Sequence, residues 1–99
     1  MAERVIWSPT AADNFEKAVE YIAENSKYYA VLFARKILEL TQKLELFPKI
    51  GRVVPEYADN NLRELFHGNY RIVYRIKKDL VEIVTLAHSA QLLKNVNFN

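Results

Sequence analysis

Apolar residues recur every three or four positions near the start of the chain, from Phe15 to Ile22. This spacing places them on one face of a helix, with charged residues on the other face. Ser8-Pro9 precedes the pattern and suits an N-cap followed by the first helical residue. The pattern therefore predicts a helix that begins there and ends near Asn25, preceded by a short strand over Arg4–Trp7.

A second helical pattern follows after a short break. Ser26 can cap it, and apolar residues then repeat at intervals of four and three from Phe33 to Phe47, where Pro48 prevents continuation. So short a connection between two helices predicts a helical hairpin. The second helix has more large apolar residues than one core-facing stripe uses, and we expect some of them to face a partner. The surplus comprises Tyr28, Tyr29, Val31, Leu32, Leu38 and Leu46.

The second half of the chain has the composition of a loop followed by strands. Residues 49–61 are rich in turn-forming residues and predict a loop. Residues 62–66, 70–76 and 80–88 are rich in β-branched and aromatic residues, and the breaks between them suit hairpin turns. The last of these strands is almost continuously apolar, which indicates a buried position inside a sheet.

The predicted fold class is α+β, with an N-terminal strand, an α-helical hairpin and a three-stranded antiparallel β-meander packed against the helices. Because side chains alternate along a strand, one face of the middle strand is mainly aromatic and aliphatic, and the helices should cover it. That face carries Tyr70, Ile72, Tyr74 and Ile76. Residues 92–99 are expected either to add a turn of helix or to fray.

Length and composition narrow the class of protein. The 99 residues are 51% hydrophobic with only 2 Gly and 3 Pro, so we expect one folded domain over residues 1–99. Cysteine is absent, which excludes disulfides and thiol chemistry. The first residues lack a signal-peptide pattern, and no segment has the roughly 20 apolar residues of a membrane helix. A soluble, cytoplasmic protein is expected.

Few residues offer chemistry. Arg71 and Arg75 could form ion pairs across strands, for example with Glu64 or Glu82. His88 is a candidate general base, with a hydrogen-bonded structural role as the alternative. No pattern of metal ligands or phosphate-binding glycines is present, so neither a metal nor a cofactor is expected.

Several motifs together indicate a known family. They are Trp7-Ser8-Pro9, Phe47-Pro48-x-x-Gly51-Arg52, Leu62-Arg63-Glu64-Leu65, Gly68-x-Tyr70-Arg71-Ile72-Val73-Tyr74-Arg75, and His88 at the end of the last strand. In this order they resemble the RelE/ParE superfamily, the toxins of type II toxin–antitoxin systems. The resemblance covers nearly the whole chain and implies the same fold, growth arrest as the activity, and a cognate antitoxin as partner in a hetero-oligomer.

The superfamily has two well-known activities. RelE-type members are ribosome-dependent endoribonucleases that cut mRNA, whereas ParE-type members inhibit DNA gyrase without cleaving anything and stabilise plasmids. In the ribonucleases the residue that resembles Arg71 contacts the scissile phosphate, and a second arginine and a tyrosine follow the last strand. Residues 89–95 contain neither. The chain is therefore closer to the ParE branch, and enzymatic activity is disfavoured.

The resemblance also implies site residues. Arg63, Arg71 and Arg75 are predicted to bind the target, gyrase. The alternative for Arg63 is that it anchors the loop before the sheet by hydrogen bonds to carbonyls or carboxylates. The predicted antitoxin-binding residues are Tyr29, Leu32 and Phe33. If the chain is instead a RelE-like mRNA interferase acting on the ribosome, Arg71 and His88 are the catalytic candidates. A third possibility is an inactive toxin fold that serves antitoxin binding and operon repression.

Overall fold

The fold is a layer of two helices on one face of a five-stranded mixed sheet. The computed structural model describes residues 4–89, so the prediction for residues 92–99 lies outside the described residues. The strands are β1 (Arg4–Trp7), β2 (Arg52–Val53), β3 (Leu62–His67), β4 (Tyr70–Lys77) and β5 (Leu80–His88), and the helices are α1 (Pro9–Ala23) and α2 (Lys27–Lys43).

The strand order is β1-β5-β4-β3-β2. β1 runs parallel to β5, and the strands from β2 to β5 form an antiparallel meander. The predicted N-terminal strand, helical hairpin and antiparallel meander are confirmed. β5 lies between β1 and β4, and this interior position explains its continuous apolar sequence.

Serine side chains cap the N-termini of both helices, as the sequence predicts. Ser8 Oγ accepts a hydrogen bond from the backbone of Ala11 at 3.0 Å, and Ser26 Oγ accepts one from Tyr29 at 3.1 Å. Ser8 Oγ also donates to the Val84 carbonyl at 3.2 Å, which ties the start of α1 to β5.

The structure differs from the prediction on both sides of Pro48. The helix predicted to reach Phe47 ends at Lys43, and residues 44–46 form a turn in which each backbone N–H bonds to the carbonyl three residues earlier. After this turn, the carbonyl of Pro48 accepts a hydrogen bond from the Tyr74 hydroxyl at 2.7 Å. The prediction of a loop throughout residues 49–61 was wrong at Arg52–Val53, which forms β2. A strand of two residues is too short to show any periodicity.

The sheet separates two apolar clusters. The face toward α1 and α2, called the helix face below, carries the larger cluster, and the tyrosine and isoleucine side chains of β4 belong to it as predicted. The opposite face, called the loop face, is covered by the segment that follows β2. Its cluster contains Val54, Leu62, Val73, Val84 and Ala87, with Tyr57 packed against it.

One bulge interrupts the pairing of β4 with β5. Val73 pairs with Thr85, whereas the next residue, Tyr74, pairs with Ile83, so Val84 is an extra residue on β5. The side chain of Asn14 on α1 lies against this irregularity. Its Oδ1 accepts hydrogen bonds from Thr85 Oγ1 at 2.8 Å and from the Leu86 backbone at 3.3 Å.

Candidate functional site

Arg71, the residue of most interest in the sequence, is enclosed on the loop face of the sheet. Its side chain is only 7% exposed. Both terminal nitrogens donate to the carboxylate of Glu56 at 3.0 to 3.2 Å, in a bidentate arrangement that suits a guanidinium. Glu56 comes from the segment after β2, so this pair fastens that segment to the sheet.

A second carboxylate contacts the same guanidinium. Glu64 is completely buried on β3, and its Oε1 lies 3.0 Å from Arg71 Nη2. Its Oε2 accepts a hydrogen bond from Arg52 Nε at 2.6 Å. The Arg52 guanidinium in turn lies 5.1 Å from the centre of the Phe66 ring. The four charges of Arg52, Glu64, Arg71 and Glu56 thus alternate in sign across the sheet, and we call them the charge cluster.

The charge cluster is tightly paired but not fully hydrogen-bonded. Within residues 4–89, Glu64 Oε1 and Arg71 Nε have no aligned hydrogen-bond partner, although Glu64 Oε1 is in ion-pair contact with Arg71. Burying these charges costs free energy that only their mutual attraction offsets. The sequence left open an ion pair across strands between Arg71 and Glu64, and the structure contains this pair. The Arg71 guanidinium is therefore buried and not available at the surface.

Arg63 holds a loop. Its Nε donates to the Asn60 carbonyl at 2.8 Å, and its Nη1 donates to the Gly51 carbonyl at 2.9 Å and, more weakly, to that of Lys49 at 3.3 Å. These bonds span the segment on both sides of β2. Arg63 therefore has a structural role in this chain whether or not it also contacts a target.

Arg75 differs from the other two arginines predicted to bind the target. It lies opposite Glu82 on β5, but Glu82 pairs with Lys77 at 3.0 Å instead. Arg75 forms no ion pair with the carboxylates of residues 4–89, and it is partly exposed. Of the three candidates, its guanidinium is the most available for a partner.

His88 lies at the exposed end of β5, on the helix face. It stands opposite Tyr70, and the two rings meet edge to face with their centres 5.8 Å apart. His67 stands opposite Tyr70 on the other side. These three rings border a cavity of about 400 Å³ between the helical hairpin and the β3–β4 turn. The cavity is also lined by Tyr21, Ile22, Phe33, Gly68 and Asn69.

The two catalytic candidates for a ribonuclease lie on opposite faces of the sheet. His88 shares the helix face with Tyr70, whereas Arg71 is the next residue after Tyr70 and points to the loop face, because side chains alternate along a strand. A general base and a phosphate-binding cation must reach the same substrate group. With the sheet between them, Arg71 and His88 are not arranged for that chemistry.

Tyr74 fastens the loop after α2 from the helix face. Its hydroxyl donates to the Pro48 carbonyl at 2.7 Å and accepts a hydrogen bond from the Gly51 backbone at 2.9 Å. The side chain is fully buried. Burial raises the pKa of the Tyr74 phenol above its usual value of 10.0, although the bond from Gly51 opposes the shift.

Replacing Tyr74 by phenylalanine is expected to destabilise the fold at neutral pH by about 1–3 kcal/mol, since two buried backbone groups lose their partner. In the wild type the raised pKa means that the folded state holds the phenolic proton more tightly than the unfolded chain. That stabilisation is present below about pH 10 and is lost as pH rises through the folded-state pKa. Urea unfolding at pH 8 to 11 should show a smaller alkaline loss in Tyr74→Phe than in the wild type. An equal loss in both proteins would contradict the assignment.

The residues predicted to bind the antitoxin do not all lie at the surface. Tyr29 and Leu32 are exposed on α2, at 63% and 41%. Phe33 is 8% exposed, because it packs into the core against Tyr70 with ring centres 5.1 Å apart. Phe33 thus offers a partner little surface beyond its edge on the cavity. Glu56 lies in a stretch, Val54-Pro55-Glu56, that also resembles the family, but the sequence indicated no role for it, because its pairing with Arg71 joins residues far apart in the chain.

The described part of the chain offers neither a metal site nor a membrane span. No group of three or more potential ligands within residues 4–89 could hold a metal ion. Neither α1 nor α2 is long and apolar enough to cross a membrane.

Comparison with known proteins places this architecture in a class, the toxins of type II toxin–antitoxin systems. A family model for the ParE toxin of the type II toxin–antitoxin system parDE matches residues 5–93. The chain belongs to this ParE toxin family. No curated protein matches it significantly.

The same fold is found in solved structures, two of which are described here by their similarity to this chain. One is from the chromosomal ParDE toxin–antitoxin system of P. aeruginosa, with a TM-score of 0.71 and 17% identity, over 88% of this chain and 96% of that one. The other is from the RelBE2 toxin–antitoxin complex of Mycobacterium tuberculosis, with a TM-score of 0.61 and 18% identity, over 89% of this chain and 99% of that one. Both likenesses concern the fold.

Proposed function

We propose that this chain arrests growth by binding DNA gyrase and that a cognate antitoxin neutralises it in a hetero-oligomer. The placement of Arg71 and His88 carries the proposal. Arg71 is paired with two carboxylates on the loop face, whereas His88 lies at the end of β5 on the helix face. An inhibitor that acts by binding needs neither group to meet a scissile phosphate.

The rest of the molecule supports binding rather than catalysis. The chain belongs to the ParE toxin family. Its formal net charge is only +2, whereas docking on ribosomal RNA benefits from many contacts between cations and phosphates. Gyrase acts on DNA in the cytoplasm, so that is the proposed location of the toxin.

Two assays separate the activities. The purified chain is expected to inhibit ATP-dependent supercoiling of relaxed plasmid by gyrase, and to leave mRNA uncut in a translation extract when the ends are mapped by primer extension. His88→Ala should inhibit gyrase as well as the wild type does. Cleavage of mRNA by the wild type, with supercoiling untouched, would overturn the proposal in favour of a ribosome-dependent interferase.

Arg75 offers a sharper version of the test. Arg75→Ala is expected to weaken inhibition of gyrase, because its guanidinium is the least engaged of the three predicted target-binding arginines. Lys78→Ala, at the exposed β4–β5 turn, is the matched control and should retain full inhibition. If the wild type neither inhibits supercoiling nor cuts mRNA, and its expression without an antitoxin leaves growth normal, then a role in antitoxin binding and operon repression replaces the proposal.

A further inference from the structure

Arg52 is the one member of the charge cluster that lies largely at the surface. Its side chain is 60% exposed, whereas those of Arg71, Glu56 and Glu64 are 23% exposed or less. A guanidinium has five N–H donors. In Arg52 only Nε is hydrogen-bonded within residues 4–89, to the buried carboxylate of Glu64 at 2.6 Å. The terminal nitrogens Nη1 and Nη2 therefore remain able to bind an acceptor from another molecule.

The Arg52 guanidinium is held in place by its surroundings. Glu64, which accepts its hydrogen bond, is completely buried and is contacted at its other oxygen by Arg71 at 3.0 Å. The ring of Phe66 lies 5.1 Å from the guanidinium carbon, within the range of a cation–π contact. An arginine that is already ordered loses less side-chain entropy when a partner binds.

The backbone before Arg52 is fastened as well. Gly51 donates a hydrogen bond to the Tyr74 hydroxyl at 2.9 Å, and its carbonyl accepts one from Arg63 Nη1 at 2.9 Å. Two buried or partly buried contacts thus fix the residue that precedes Arg52. Both the side chain and the backbone of Arg52 are therefore preorganised for binding.

Exposed apolar side chains lie near Arg52. Phe66 is 46% exposed, and Ile50, two residues before Arg52, is 53% exposed. Two residues span at most about 7 Å of chain. Ile50 also lines a groove of about 520 Å³, together with Phe47, Pro48 and Lys49. Arginine beside large apolar side chains is typical of the residues that dominate protein–protein binding. We call Arg52, Phe66 and Ile50 the anchor surface.

The charges around the anchor surface favour a protein partner over a nucleic acid. The formal charges of the four residues in the charge cluster cancel, so a polyanion gains little long-range attraction there. Nη1 and Nη2 of Arg52 match the two oxygens of a carboxylate. The exposed Phe66 ring adds an apolar contact that a duplex backbone does not use. The anchor surface therefore fits a protein on which a carboxylate lies beside an apolar side chain.

We propose that gyrase binds the anchor surface, with a carboxylate of the gyrase protein on Arg52 and an apolar side chain on Phe66 and Ile50. This inference rests on gyrase as the proposed target, and it adds contacts that the sequence did not indicate. Phe66 pairs with Arg71 on the loop face, and Arg75 lies on that face too. The anchor surface thus shares its face of the sheet with the most available of the predicted target-binding arginines.

Binding to purified gyrase in the absence of DNA tests the anchor surface directly, by biolayer interferometry with the chain immobilised. Phe66→Ala should weaken binding at least about tenfold, as expected for a central apolar contact. Arg52→Lys should also weaken it about tenfold, because an ammonium keeps the charge but cannot present two parallel donors. Tyr28→Ala and Arg35→Lys, at exposed positions of α2, are the matched controls and should bind as the wild type does. Circular dichroism checks that each variant is folded.

Two further measurements identify what the anchor surface binds. If Arg52 and Phe66 act on neighbouring groups of gyrase, the variant that combines Arg52→Lys with Phe66→Ala should lose clearly less affinity than the product of the single losses. A loss equal to that product would refute their joint action. With a linear DNA duplex alone, Arg52→Lys and the wild type should behave alike. Binding to the duplex that Arg52→Lys weakens would identify a phosphate as the ligand and overturn the carboxylate.

The remaining outcomes separate this inference from the proposed function. If Arg52→Lys and Phe66→Ala bind and inhibit gyrase as strongly as the wild type, the anchor surface is refuted and gyrase remains the target. If the wild type itself does not bind gyrase, the proposed function fails and gyrase is overturned as the occupant. Growth during expression of the same variants without antitoxin then decides the rest. Undiminished arrest would refute the anchor surface, whereas lost arrest would support it as the contact with a different protein.

Discussion

Replacing Arg71 by alanine is expected to destabilise the fold by about 3–5 kcal/mol, because it leaves the buried carboxylate of Glu64 without its one buried neighbouring cation among the described residues. Glu64 is completely inaccessible to solvent, so water cannot replace the lost guanidinium. Arg52 retains its bond to the other Glu64 oxygen, but its side chain is 60% exposed and its charge is better screened. Glu56 also loses its bidentate partner, which releases the segment after β2 from the sheet.

Urea unfolding, followed by circular dichroism, measures the effect on chain separated from its antitoxin and refolded. Arg75→Ala is the control on the same strand and face. A change within about 0.5 kcal/mol is expected, because Arg75 is partly exposed and forms no ion pair within the described part of the chain. Combining Arg71→Met with Glu64→Gln should recover part of the stability lost by Arg71→Met alone. An Arg71→Ala protein that unfolds like the wild type but no longer inhibits gyrase would show that Arg71 binds the target instead.

The second large effect is expected at Gly51. A Cβ atom there would lie 2.6 Å from the Glu64 carbonyl oxygen and 2.7 Å from the Tyr74 hydroxyl oxygen. The carbonyl belongs to β3 and the tyrosine is held by Pro48, so neither can move aside cheaply. Gly51→Ala should therefore cost about 3 kcal/mol, near the upper end for overpacking a buried site.

Gly68 provides the matched control. It lies in the β3–β4 turn with a φ of +57°, and an added Cβ would meet no atom within 4 Å. Gly68→Ala should cost roughly 1 kcal/mol from backbone strain alone, and Gly68→Asn should cost less because asparagine tolerates this conformation. Thermal unfolding of the three variants decides the matter. Equal losses for Gly51→Ala and Gly68→Ala would show that the packing around Gly51 can relax.

Much of this fold could be predicted from local patterns. The helices begin at Ser8 and Ser26 because a serine hydroxyl can accept a hydrogen bond from the first turn, and that rule depends on few residues. The meander followed from β-branched segments separated by short turns. β2 could not be predicted in this way, because its two residues form a strand only where Arg63 and Glu64 provide an edge to pair with.

The site was less predictable than the fold, for a physical reason. The partner of Arg71 could be guessed across the β3–β4 pair, where Glu64 is nearby, but Glu56 approaches from a segment without periodicity. The face on which His88 lies depends on the register of β4 with β5. Nothing in Ile83, Val84 and Thr85 marks a bulge, since all three residues suit a regular strand.

The extra residue at Val84 has a consequence for chemistry. Counting pairs from Lys77 and Leu80 along a regular ladder would oppose Tyr70 to Ala87, and would leave the imidazole of residue 88 on the same side as the guanidinium of residue 71. Because Val84 is inserted, the side chains of β5 after it point to the opposite face from the one that a regular ladder would give. One inserted backbone unit in β5 thus decides whether the acid–base group and the anion-binding group lie on the same face of the sheet. The side chains themselves need not change.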